Sequence, residues 1–348
     1  MSRTDQESVS FNFSVFKVLS ILCVVSSHWP SAVNLPLPLW IPTTIGLFIF
    51  SFSSGFFTTR IYGVDVDVRA FWAKKVERLV VRYWFLLAVL SALLLVQGKT
   101  IFHWHSLVHV FGLSGVLNLV GPNASALGAG LWFFTLLLLF YLAFPYLARL
   151  AAASRGDFMA PMLITLGFFY LNDHFVLPFS LWLTALGFML GVFAGMYGTQ
   201  VSACTSLALT LISLTVLLVN NVVFGYKNAN GVLLGGACIA ANLWLMRARL
   251  PEWKVLKVLA KLENCLLEIF IIHTYLFIHP TGITSFDFAV TMGLIIVAAW
   301  KLNTWGSVLV KRAFTKAQPR RPAFSKVHDP LHDPLQDPNG LPPHDFMS

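Results

Sequence analysis

FSVFKVLSILCVVSSHW, residues 13–29, is an apolar run of membrane length that carries a lysine and a histidine within it. Lys17 and His28 stand eleven positions apart. On a helix turning 100° per residue, that spacing returns both side chains to within about 20° of one direction, roughly 16 Å apart along the axis. Charged and titratable groups are costly in hydrocarbon, so such a face is expected to line a protein-enclosed or wet path. The plainer alternative is a lysine snorkelling to the interface and a histidine hydrogen-bonded to a neighbouring helix. In the functional reading, a neutral imidazole takes a proton from a hydroxyl as a general base.

The rest of the chain fits a membrane setting. Of 348 residues, 57% are hydrophobic and 11% charged, and the mean hydropathy is +0.73. These values exclude an ordinary soluble domain and predict an all-α, polytopic integral membrane protein. About ten apolar stretches are long enough to span a bilayer: roughly 13–33, 39–59, 79–97, 127–148, 159–176, 179–198, 203–224, 230–247, 262–279 and 287–310. With the N-terminus inside, the inner loops collect Arg60, Arg69, Lys74, Lys75, Arg78 and Arg82, then Arg149 and Arg155, then Arg247, Arg249, Lys254, Lys257 and Lys261. The outer loops hold only Lys99 and Lys227. The asymmetry puts both termini in the cytoplasm and explains the formal charge of +9 without nucleic acid. Residues 1–12 are then a cytoplasmic segment, 13–312 the membrane domain and 313–348 a cytoplasmic tail. Tandem HDPL, HDPL and QDPN in the tail place proline too often for helix, so disorder is expected there. Residues 1–10 carry both signs of charge ahead of the first run, which reads as a retained helix and not a cleaved signal.

Other polar groups are candidates of unequal promise. Lys74, Lys75, Arg78 and Arg82 recur at intervals of three and four, a basic stripe that suits either anionic lipid or a phosphorylated cofactor. Glu268 and His273 both fall in an apolar stretch, yet five helical residues turn about 140°, so the two cannot face one point squarely. Glu268 is expected to pair with a lysine or arginine. His103, His105 and His109 lie in the outer loop 98–126, whose HWHSLVH reads as a short interfacial helix and does not present a zinc face. Asp173 and His174 sit in a tight outer turn that could face a substrate. Cys23, Cys204, Cys238 and Cys265 are too scattered for a disulfide framework or a metal site.

Taken together, several of these residues resemble a known family. Lys17 with ten residues before His28, the SGF of Ser54, Gly55 and Phe56, and Lys75 with two residues before Arg78 are similar to motifs of acyltransferase family 3. LWFFTLLLLFYLAFPYL, residues 131–147, resembles its tryptophan-led span, and LLEIFIIHTYLF, residues 266–277, its late span ending in a histidine. The likeness implies transfer of an acyl group, commonly acetyl from acetyl-CoA, to a hydroxyl of a surface glycan or lipid-linked sugar. It implies His28 as the catalytic histidine and Lys17, Lys75 and Arg78 along the donor path, with Arg82, Glu268 and His273 in support. Ser14 stands where the family often has an acidic residue, and Arg82 where a proline usually follows the basic pair. An imidazole base needs a group to fix its tautomer. The first span offers only Ser14, Ser20, Ser26 and Ser27 for that task. From residues alone, a transporter of a glycan or lipid-linked intermediate, with Lys17 and His28 lining the route, remains the alternative.

Overall fold

A computed structural model describes residues 3–29, 39–120, 123, 125–128, 130–170 and 179–315. In chain order the helices are α1 Arg3–Ser27, α2 Trp40–Tyr62, α3 Val68–Lys75, α4 Val81–Val96, α5 Trp104–Val110, α6 Ser114–Val120 and α7 Trp132–Ala153. They continue as α8 Arg155–Tyr170, α9 Phe179–Tyr197, α10 Ala203–Val219, α11 Lys227–Leu245, α12 Lys254–Lys261, α13 Leu266–Ile272 and α14 Thr284–Thr315. No strand occurs among the described residues. The chain divides into a compact unit, Met1–Val310, and a terminal unit, Lys311–Ser348, of which only the end of α14 is described.

Six helical stretches are long and apolar enough to cross a membrane: Asp5–Ser27, Trp40–Tyr62, Val68–Val96, Trp132–Ala153, Ala203–Phe224 and Thr284–Arg312. That is fewer than the ten stretches expected. Apolar Leu181–Tyr197 and Ala229–Leu245 fall short of the same length, and α8 has 16 residues. The ninth stretch is not one helix at all. It is a 3₁₀ turn at Leu262–Cys265, the seven-residue α13, and a second 3₁₀ turn at His273–Tyr275. The first stretch also ends early, at Ser27, and residues 30–33 of its expected span lie outside the described residues. So do Asp173, His174 and the tail from 316 on, while α14 runs into the expected tail as far as Thr315. Pro145 does not end its helix, because α7 continues to Ala153.

Small residues decide the closest packing. Gly187, Gly191 and Gly195 recur every fourth position and form one stripe along α9. A Cβ at Gly191 would strike the carbonyl oxygen of Phe52, and one at Gly55 would strike that of Phe188, so α2 and α9 touch backbone to backbone. Against this pair lies α1, whose buried Phe13 stacks on Phe52 and Phe56 with ring centroids 5.9 and 6.2 Å apart. The Asn12 side chain donates to the carbonyls of Leu245 and Ala248 at 2.9 and 2.8 Å, which pins α1 to the end of α11. Because α1 is fixed on that side, its remaining polar face meets the broken stretch Leu262–Tyr275.

Candidate active site

His28 follows the last residue of α1, and its amide still donates back to Val24 and Val25, so the ring keeps a helical direction. Its Nδ1 lies 2.8 Å from the Val24 carbonyl. A carbonyl only accepts, so Nδ1 carries the hydrogen and Nε2 of the neutral ring keeps its lone pair. The orienting partner absent from the first-span side chains is therefore the backbone one turn earlier. His273 meets this ring edge to face, with centroids 5.1 Å apart and planes at 60°. The same device fixes His273: its Nδ1 donates to the Phe270 carbonyl at 2.8 Å, and its Nε2 is buried with no partner. Two imidazoles thus stand together with both Nε2 lone pairs uncommitted among the described residues.

Lys17 faces the same segment lower down. Its ammonium donates to Glu263, and the Ser14 hydroxyl donates to the other carboxylate oxygen. The chain from Glu263 to His273 accordingly runs beside α1 from Lys17 to His28, and the two polar groups of the opening run do share a face. The carboxylate that Ser14 meets thus arrives from 249 residues away in sequence.

Lys75, Arg78 and Arg82 do not form a single stripe. Between α3 and α4 the backbone widens into a π turn, Val76–Val80, which shifts the face presented after it. Lys75 is half-buried, its ammonium 3.8 Å from the centroid of Tyr141 and within 6 Å of Phe71 and Tyr62. Tyr141 in turn hydrogen-bonds Ser54 of the SGF motif. Arg78 is exposed on the π turn. Arg82 points elsewhere and pairs with the buried Glu268, with further bonds to Asn303 Oδ1 at 3.1 Å and the Asn264 carbonyl at 3.3 Å. The expectation that Glu268 finds a cation, and that it and His273 face different points, matches this arrangement. Lys17 and Lys75 have different neighbours on α2: Lys17 lies 5.9 Å from the Phe57 ring and Lys75 5.8 Å from that of Tyr62. Sequence reasoning missed Glu263 and Tyr141, because neither carries a local signal.

The family model for an acyltransferase domain, that of acyltransferase family 3, matches residues 11–310. The chain belongs to this family. Searches of curated proteins and of solved structures returned no match. Membership of acyltransferase family 3, together with the long apolar helices, makes the protein a membrane acyltransferase.

In this acyltransferase the loop before α7 lies against His273. Gly130, at φ 76°, packs beside it: a Cβ there would be in van der Waals contact, 3.6 Å from Cε1 of His273. Two residues earlier, the Gly128 amide donates to the Tyr275 hydroxyl at 3.0 Å. The loop itself is tied by His109, which is buried in α5, the short helix expected from HWHSLVH. Its Nδ1 is 2.8 Å from Ser114 Oγ and its Nε2 3.2 Å from Asn123 Oδ1. An amide oxygen accepts, so Nε2 donates and Nδ1 accepts from the serine. Burial pushes the His109 pKa down, which favours this neutral form. His103, His105 and His109 do not converge, and no group of three metal-ligating side chains sits together among the described residues.

Proposed function

We propose that the protein transfers an acetyl group from acetyl-CoA to a hydroxyl of a cell-surface or exported glycan. The observation that carries this reading is the Nε2 lone pair of His28, held available by the Nδ1 bond to Val24. As the acceptor oxygen attacks the thioester carbonyl, Nε2 takes its proton; the carbon–sulfur bond then breaks, and the proton passes to the departing thiolate. The products are the O-acetyl ester and the free thiol of CoA.

The donor, acetyl-CoA or another acyl-CoA, is proposed to enter from the cytoplasmic side, where Lys75 and Arg78 meet its phosphates, while Lys17, held by Glu263, lines the path further along. Lys75 rests on aromatic faces and is free to answer an anionic ligand. Arg82, in contrast, is already committed to Glu268 and supports the site by holding α4 to α13. The proposed topology has about ten crossings of the cell membrane, with the shorter helices and the broken segment completing what six long helices begin, and both termini on the cytoplasmic side. Mass spectrometry of surface glycans from cells with and without the protein tests this function. One added acetyl mass that depends on the protein is the expected result. Glycan carried across a bilayer unmodified, with no CoA thiol released, would make the protein a transporter instead.

A further inference from the structure

Buried polar atoms without partners are rare in folded chains, and each asks for an explanation. Among the described residues seven side-chain atoms are in this state, and three of them sit on Trp29, His273 and Thr274. Trp29 follows His28 and Thr274 follows His273 in the chain, and the Trp29 and His273 rings both pack on Phe277. Of the remaining four, Asn12, Asn242 and Glu268 satisfy their other polar atom, through Leu245, Cys238 and Arg82, as His273 does through Phe270. Only the Trp182 indole, stacked on Phe168 in another part of the bundle, matches Trp29 in having its one donor unused.

These three unpaired atoms are chemically complementary. Trp29 Nε1 is a donor, His273 Nε2 an acceptor, and the Thr274 hydroxyl can do either. Trp29 and His273 are packed away from solvent, and Thr274 is partly so. Trp29 is 3% exposed and its ring is held by His279, Phe277 and Phe288, with centroids 4.6, 5.4 and 5.6 Å away. His273 is fully buried, and its Nδ1 bond to Phe270 fixes which nitrogen is left over. A monohydric lipid alcohol brings one hydroxyl, which His28 consumes. A sugar brings neighbouring hydroxyls that both donate and accept.

We infer that Trp29, His273 and Thr274 form the acceptor subsite and select a carbohydrate with at least two adjacent hydroxyls. This rests on the acyl-transfer reading above. His28 touches the reacting oxygen, while His273 Nε2 accepts from a second hydroxyl and Trp29 Nε1 donates to an oxygen of the same ring. They are specificity-determining residues, and the cost of leaving them unpaired in the free protein turns into discrimination when the right acceptor arrives.

The test uses the full chain reconstituted in lipid, acetyl-CoA as donor, and two acceptor sets: methyl glycosides of common hexoses and monohydric alcohols of similar size. The wild type should prefer a glycoside by about 100-fold or more in kcat/KM. Trp29→Phe and His273→Ala should cut that preference about tenfold or more, mainly through a higher acceptor KM. His273→Gln, which restores an acceptor near the Nε2 position, should recover part of it. Trp182→Phe removes the same indole donor elsewhere and should leave the preference as it was. A preference unchanged in Trp29→Phe and His273→Ala, an equal fall in kcat for both acceptor sets, or the same loss in Trp182→Phe would overturn the subsite while leaving acyl transfer standing. No acetyl transfer to any hydroxyl by the wild type would remove the functional reading, and the subsite with it.

Discussion

At residue scale, the Arg82–Glu268 pair carries the clearest energetic consequence. The carboxylate side chain is 1% exposed and the guanidinium 23%, so removing either leaves a charge with little water to replace its partner. Glu268→Ala is expected to lower stability by about 3–5 kcal/mol, measured by thermal unfolding in detergent, with Arg82→Ala/Glu268→Ala recovering part of the loss. The need for such a partner was legible in the sequence, because an acid in an apolar stretch must be answered. The identity of the partner was not, since Arg82 looked like one member of a regular stripe until the π turn re-aimed it. The same limit applies at Lys17 and His28. Spacing alone put them on one face. Glu263 lies far away in sequence, and the Val24 carbonyl that fixes the His28 tautomer is a group every residue possesses.

At the scale of elements, the contact between α2 and α9 is set by backbone distance. Gly191→Ala would drive a methyl group into the Phe52 carbonyl and is expected to cost about 1–3 kcal/mol. Gly293→Ala, in α14, meets nothing within 4 Å and should instead stabilise by about 0.5–1 kcal/mol. Comparing the two melting temperatures separates close approach from general helix propensity. The outer loop offers a pH-dependent counterpart. His109 is held neutral by burial, below its ordinary value of 6.5, so the unfolded chain binds the extra proton first. Its contribution is therefore complete above about pH 6.5 and is lost as pH falls toward the depressed value. Melting temperature should drop on acidification across that window, and His109→Asn should flatten the drop. Long apolar runs such as 39–59 and 203–224 announced their helices because one continuous stretch is all a spanning helix needs. The run 262–279 looked the same in composition, yet it holds Glu263, Glu268 and His273 against three different partners and breaks into short turns to do so.

Over the whole molecule, the family match from 11 to 310 coincides with the compact unit that ends at Val310, and the polar groups on the site-facing side of α1 both look onto one segment. Composition was enough to place the chain in a membrane, because 57% hydrophobic residues admit few other solutions. It overcounted helices of full spanning length, since hydropathy records how apolar a stretch is and not whether its backbone stays regular. Spacing was enough to put Lys17 and His28 on one face, whereas Glu263 and His273, which meet them there, come from long-range packing that no local spacing shows. The central claim is that His28, through its free Nε2, is the general base of an acetyl transfer. Reconstituted protein supplied with radiolabelled acetyl-CoA and a glycan extract measures it directly: His28→Ala should lower transfer by about 10²–10⁴-fold, whereas transfer at the wild-type rate would contradict the account.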